Sequence, residues 1–239
     1  MKPRLFQAGI AVALAVVGMF VMNKISIENG VKVPEAKFPY LVKLVDVQAT
    51  RSKVMCAGIA IDERRVLTAA HCVPLVNQVR PADNSALLDF SSQVHNDLAL
   101  LFITHGKLPQ HWTNPILKVG DIPATSSFVA LGYGGPRTDD ANPDLRRSNL
   151  LSFQPVGICE KLYSQTLQSN EICVGRQDMS PCRYDSGGPL FTASGSDQNP
   201  VLISLVGVVS KADTDCKDSG PAIFTAFEDD DLRWIESLR

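Results

Sequence analysis

Very little in this chain of 239 residues points to a metal centre, a nucleic-acid partner or a helical scaffold. Only four histidines are present, none in an H-E-x-x-H pattern, and the six cysteines make no paired C-x-x-C, so the usual zinc spacings are missing. The net charge is −2, too near neutrality for the basic footprint of a nucleic-acid binder. No internal repeat, low-complexity tract or second module interrupts the chain. Helical periodicity is confined to the tail. There Glu228-Asp229-Asp230-Asp231 suits the positive end of a helix, and Leu232, Ile235 and Leu238 recur at near-helical spacing beside Trp234. This acidic run reads as a solvated helix cap rather than a cation site.

What the chain does have is apolar content, 45% of its residues, enough for one compact unit or two small ones with real cores. Lys2 and Arg4 precede an apolar stretch from Leu5 to Met22, and Lys24 follows, which is the pattern of an export signal. No clean small-x-small cleavage site closes the stretch, so residues 1–26 read as either a cleaved signal peptide or a membrane anchor. Both place the rest of the chain across a membrane, where disulfides persist. From residue 27 onward, short apolar runs alternate with Gly, Pro, Asn and Asp. Leu41–Val47, Cys56–Ile61, Ala86–Phe90, Leu98–Ile103, Ser127–Leu131 and Val201–Val209 all read as strands. The six cysteines form an even set, and spacing alone leaves their pairing open.

The chemistry concentrates in three segments. Near the C-terminal end runs Cys182-Arg183-Tyr184-Asp185-Ser186-Gly187-Gly188-Pro189-Leu190. A serine hydroxyl attacks a carbonyl only when a base takes its proton and N–H groups receive the developing oxyanion. Glycines beside the serine let the main chain turn tightly against a substrate. Upstream stand Leu67-Thr68-Ala69-Ala70-His71-Cys72 and Asn96-Asp97-Leu98-Ala99-Leu100-Leu101. Singly, each segment reads as an ordinary turn, a packed ring or the start of a strand. Together they offer His71, Asp97 and Ser186 in that order.

With these motifs the chain resembles the trypsin-like, chymotrypsin-fold serine proteases, whose triad follows the same order. Further segments carry the resemblance: Ile27-Glu28-Asn29-Gly30 with Phe38-Pro39-Tyr40, Cys56-Ala57-Gly58, Ala130-Leu131-Gly132-Tyr133-Gly134, Glu171-Ile172-Cys173-Val174-Gly175, and Leu205-Val206-Gly207-Val208-Val209-Ser210. It spans about residues 27–239. It implies an all-β fold of two six-stranded antiparallel β-barrels with a C-terminal α-helix. The first barrel is expected over about 27–134, the second over about 135–227, and the helix over about 229–238, with Arg137–Arg147 as the exposed link. It also implies three disulfides, Cys56–Cys72, Cys159–Cys173 and Cys182–Cys216, each stabilising by about 2–4 kcal/mol. Asp97 follows His71 by only 26 positions, so the family's cation-binding loop is expected to be missing, and no structural calcium or other cofactor is expected.

The resemblance assigns roles residue by residue. Ser186 is the nucleophile, His71 the base and Asp97 its orienting carboxylate, with Ser210 supporting Asp97. Backbone N–H groups of Ser186 and Tyr184 form the oxyanion hole. Asp185 pairs with a freed ammonium at Ile27, although Ser26 offers no Arg or Lys at that bond. Ser180 falls at the floor of the primary pocket, and Ala212 and Ala222 stand on walls where glycines are commonest. A small or medium apolar residue before the cut is therefore expected. Lys211 replaces the usual tryptophan on the substrate edge. The main departure is Tyr184, where the family nearly always has Gly. The implied activity is a monomeric, exported endopeptidase with protein or peptide substrates, open to a proteinaceous inhibitor. The alternative is a protease-fold binding protein whose oxyanion hole Tyr184 disturbs. His95, His105 and His111 receive no catalytic role.

Overall fold

A computed structural model describes residues 27, 29–48, 51–114, 116–134, 142–177, 179–213, 216 and 220–238. The expected leader over residues 1–26 lies outside these, as does part of the Arg137–Arg147 link. Among the described residues no helix is long and apolar enough to cross a membrane.

The first seven strands are β1 (Val31–Lys32), β2 (Leu41–Gln48), β3 (Arg51–Ala60), β4 (Arg65–Ala69), β5 (Gln78–Pro81), β6 (Phe90–His95) and β7 (Leu98–Ile103). They are followed by β8 (Ser127–Gly132), β9 (Arg146–Arg147), β10 (Ser152–Phe153), β11 (Glu171–Gly175), β12 (Pro189–Gly195), β13 (Pro200–Lys211) and β14 (Ala222–Ala226). Two antiparallel sheets result, one in the order β5-β2-β3-β4-β7-β6 and the other β1-β9-β8-β12-β13-β14-β11-β10. Antiparallel neighbours joined by short turns follow from the Gly, Asn and Asp that punctuate the β-branched runs.

Three expectations change. The second sheet has eight strands rather than six, because the short β1 and β9 pair with each other and β9 continues onto β8. The division between the halves falls earlier than residues 134–135: β8 pairs with β12, so the crossing lies between Ile103 and Ser127. The apolar run of β8 announced a strand, but nothing local to it says which sheet it joins. The tail is also not the only α-helix. Val156–Tyr163 forms α1, ended by Ser164 in the left-handed region at φ 51° and anchored through buried Cys159 to Cys173. Its Gly157, Val156 and Ile158 are weak helix formers, so the disulfide and the packing of Tyr163 and Leu167 on Ile223 outweigh propensity here.

The tail helix α2 (Asp229–Ser237) starts where its charges suggest. Glu228 and Asp231 form a reciprocal capping box, satisfying N–H groups that a helix start leaves unpaired. All three expected disulfides are present, with no free cysteine.

The core follows from the ladders. β4 and β7 pair from Arg65↔Phe102 to Ala69↔Leu98, and Val66, Leu67, Leu98, Leu100 and Leu101 are wholly shielded from water. Each such side chain contributes about 1.5–3 kcal/mol over an exposed one. A second cluster gathers Phe128, Ala130, Leu190, Val206, Val209 and Phe224 from the other sheet. Tyr40, Trp112 and Phe191 bridge the halves, with Tyr40–Trp112 and Trp112–Phe191 ring centroids 5.0 and 4.6 Å apart. Charges interrupt this apolar interior at a few places, among them the fully buried Lys43 of β2 and the fully buried Asp185 and Asp231.

Candidate active site

The seam between the sheets collects the predicted residues, and each arrives by a local cause. His71 lies in a 3₁₀ turn, Ala70–Leu75, that continues directly from β4. Cys72, its neighbour, is bonded to Cys56 of β3, which fixes the turn to the sheet. Asp97 occupies the two-residue turn between β6 and β7, where Asn96 takes the left-handed conformation at φ 53° that asparagine tolerates. The Ala70 N–H donates to the Asp97 carbonyl at 3.0 Å, joining the two turns.

Asp97 is the hub. Its Oδ1 lies 3.2 Å from His71 Nδ1, and its Oδ2 accepts from the Ser210 hydroxyl at 2.7 Å and from the Thr225 hydroxyl at 3.4 Å. The Ser210 contact has a backbone origin. In the β13–β14 ladder Val209 pairs with Phe224 and Lys211 with Ile223, so Ser210 is the unpaired residue of a bulge and its side chain is re-aimed. Partial burial pushes the Asp97 carboxyl pKa up, but the hydrogen bonds from His71 and Ser210, with the attraction of His71, outweigh it and leave the carboxyl below its ordinary value. Thr225 escaped the sequence reading. Its only signal is a polar residue inside the apolar Ala222–Ala226 run.

Ser186 sits in the loop ahead of β12. Its carbonyl accepts from the Ala57 N–H of β3 at 2.9 Å, and Gly187 N–H donates to Val209 at 2.8 Å, so the loop is stitched to both sheets. Gly187, at φ 75°, is obligatory: a Cβ there would lie 2.0 Å from Thr68 Oγ1 and 2.5 Å from the Ala57 carbonyl. Among the described residues the Ser186 hydroxyl makes no hydrogen bond to His71. Such contacts tighten when substrate binds. The backbone N–H groups of Ser186 and Tyr184 likewise find no acceptor among the described residues.

Tyr184 stands at φ 73°, a conformation that suits glycine and strains a tyrosine. Its ring lies under Lys53 of β3, with the ammonium 5.0 Å from the ring centroid. This cation–π contact turns the ring toward the β3 side of the cleft.

Asp185 points the other way, into the interior. It is fully buried and accepts backbone N–H bonds from Gly134 at 2.7 Å, Cys182 at 2.8 Å and Ile27 at 3.2 Å. Ile27 is itself wholly buried. A Cβ on Gly132 would lie 2.0 Å from the Asp185 carboxylate, so that wall must be glycine.

A cleft of about 380 Å³ opens beside Ser186, lined by Met55, Leu75, Tyr184, Ser210, Lys211 and Ala212 among others. Of the residues expected to shape the primary pocket, Ala212 reaches it, whereas Ser180 and Ala222 are buried and do not line it. The Ser180 hydroxyl is buried without a partner among the described residues. Lys211 extends to the Gln165 side-chain carbonyl. His95 meets Asp230 at 3.0 Å and stacks on Trp234, tying the β6–β7 turn to α2. Among the described residues no cluster of His, Cys, Asp and Glu is placed to hold a metal ion.

The family model described as Trypsin matches residues 27–235. Serine protease grass of Drosophila melanogaster is 26% identical over 252 residues, covering 87% of this chain and 66% of that protein. Phenoloxidase-activating factor 3 of Holotrichia diomphalia is 25% identical over 244 residues, covering 84% of this chain and 68% of its own length. Human kallikrein-12 is 28% identical over 207 residues, covering 76% of this chain and 81% of that protein. The chain thus spans about two thirds of the length of the first two relatives. The crystal structure of the Drosophila Grass clip serine protease of the Toll pathway superposes with a TM-score of 0.66 at 22% identity, covering 87% of this chain and 71% of that one.

Proposed function

Because the chain belongs to the trypsin family of serine-type endopeptidases, we propose that it is an exported endopeptidase working through His71, Asp97 and Ser186. The observation that carries this reading is the Asp97 hub, where one carboxylate receives His71 Nδ1 and the Ser210 hydroxyl beside the loop that bears Ser186. Ser186 Oγ attacks the scissile carbonyl while His71 Nε2 takes its proton. Asp97 holds the ring in the tautomer that leaves Nε2 free and stabilises the imidazolium. The backbone N–H groups of Tyr184 and Ser186 receive the oxyanion. His71 then protonates the leaving amine, and water releases the acyl group by the reverse sequence.

Tyr184 bears on the alternative, a protease-fold binding protein without turnover. Its φ of 73° keeps the glycine-like backbone, and its N–H has no acceptor among the described residues, which favours catalysis with a crowded cleft. Ile27 N lies against Asp185, so a cut before Ile27 would place an ammonium on that carboxylate and strengthen the contact. Export agrees with the three disulfides, which persist in oxidising compartments. Among the described residues no carboxylate lines the cleft and Ala212 reaches it, which supports a small or medium apolar residue before the cut.

A peptide library digested by the active enzyme, with Ser186→Ala as control, tests this. Cleavage after small apolar residues, absent from the control, is expected. Equal cleavage by the control would refute the mechanism, and strong cutting after Arg or Lys would refute the specificity.

A further inference from the structure

Lys43 is fully buried on a strand that carries no catalytic residue, yet it is among the most heavily bonded side chains in the molecule. Its ammonium donates to both carboxylate oxygens of Glu35 at 2.9 and 2.8 Å, to Asn84 Oδ1 at 3.0 Å and to Asn142 Oδ1 at 2.7 Å. It also lies 5.0 Å from the centroid of the buried Tyr133 ring. These partners come from four separate segments: the 3₁₀ turn Glu35–Lys37, the turn after β5, the stretch leading to β9 and the end of β8. A buried ammonium is tolerated only when paired and hydrogen-bonded, so the cluster holds these segments in one arrangement or loses its centre.

Two short paths run from this cluster to the nucleophile loop. Tyr133 precedes Gly134, whose N–H donates to Asp185 Oδ1 at 2.7 Å, and Asp185 lies between Tyr184 and Ser186. Across the β2–β3 ladder, Lys43 pairs with Ala57, whose N–H donates to the Ser186 carbonyl at 2.9 Å. Both ends of the segment that presents the two unpaired N–H groups are thus braced within a few bonds of Lys43.

We propose that Lys43 is a positioning residue for the oxyanion hole: its buried ammonium clamps Glu35, Asn84, Asn142 and Tyr133 so that Gly134 and Ala57 set the orientation of the Tyr184–Ser186 backbone. The inference rests on the endopeptidase reading. It differs from a purely structural ion pair in what it predicts for catalysis. Oxyanion donors act on the transition state, so loosening them lowers kcat and leaves KM nearly unchanged.

The test compares wild type, Lys43→Met and the double variant Lys43→Met/Glu35→Gln, which removes the carboxylate stranded by the single change. Lys43→Met is expected to lower both thermal stability and kcat. The double variant is expected to regain stability while kcat remains down by about tenfold or more, short of the ~10²–10³ lost when a donor is deleted outright. Hydrogen exchange over residues 182–188 reads the same coupling without turnover and is expected to accelerate in the double variant. Recovery of kcat together with stability, or unchanged exchange over that loop, overturns the proposal. A wild type that cleaves nothing sinks the endopeptidase reading instead, and the exchange measurement still decides whether Lys43 orders the loop.

Discussion

Asp97 and Asp185 are two carboxylates at the same seam, and they are held by different sets of groups. Asp97 is partly exposed and bound mainly by side chains, those of His71, Ser210 and Thr225, with one further bond from the His71 backbone. Asp185 is fully buried and receives backbone N–H groups of Ile27, Gly134 and Cys182. A carboxylate held mainly by side chains can orient a catalytic partner and stabilise the charge that develops on it. One held by peptide groups acts as a fixed post, and here it fixes the loop that carries Ser186. Breaking the first should spare the fold and remove the chemistry. Breaking the second should disturb both.

The sharpest way to break the contrast is Asp97→Asn. The geometry survives but the ring is held in the wrong tautomer, and kcat is expected to fall by about 10⁴-fold with little change in melting temperature. Peptide hydrolysis and thermal unfolding measured on the same preparation check it. A loss of stability in proportion to activity would erase the distinction.

Gly134→Ala attacks the other carboxylate without touching its charge. The added Cβ would lie 2.2 Å from the Arg183 carbonyl and 2.5 Å from Asp185 N, so the nucleophile loop must move. Loss of about 10²–10³ in kcat is expected, with lowered stability. Wild-type melting with wild-type kcat would show that the post is not needed.

A smaller effect follows from Ser210→Ala. Removing one hydrogen bond to a charged carboxylate should reduce kcat by roughly tenfold. It should also raise the Asp97 pKa toward its ordinary 3.8, since that bond lowers it. The folded-state pKa is depressed, so its contribution to stability is present above the ordinary value and lost as pH falls through the lower folded value. In Ser210→Ala that contribution is expected to be smaller and to be fully lost at a higher pH. Acid unfolding curves of both proteins, or an NMR titration of Asp97, would read the shift, and superimposable curves would contradict it.

The smallest change in chemistry is expected from Tyr184→Gly. Glycine takes φ 73° without strain, so kcat on a small ester should stay within a few-fold while peptides with bulky residues after the cut gain in kcat/KM. A large rise in kcat on the small ester would mean that the tyrosine distorts the oxyanion hole rather than crowding the cleft.

How much of this was legible in the sequence divides along the same line. The residues around Asp97 announce themselves, because His71, Ser186 and Ser210 stand in short strings whose order carries the resemblance. Thr225 did not, since one hydroxyl inside an apolar strand reads as packing. The surroundings of Asp185 were half legible: the sequence pointed to Ile27 through a freed ammonium, where the structure has the Ile27 backbone N–H, and the N–H groups of Gly134 and Cys182 have no sequence signature. Lys43 was invisible for a similar reason. In Leu41-Val42-Lys43-Leu44-Val45 the apolar neighbours on both faces do not say which way a lone lysine points, and partners distant in sequence, Glu35, Asn84 and Asn142 among them, make its burial possible. The placement of β8 and the presence of α1 depended likewise on partners far along the chain.

The central claim is that three side chains from two sheets act as one nucleophilic unit, and covalent labelling tests it most directly. The folded wild-type enzyme exposed to a fluorophosphonate is expected to gain a single adduct, mapped by mass spectrometry to Ser186, with Asp97→Asn reacting far more slowly and Ser186→Ala not at all. Absence of an adduct on folded wild-type protein, or an adduct at another residue, would contradict the account.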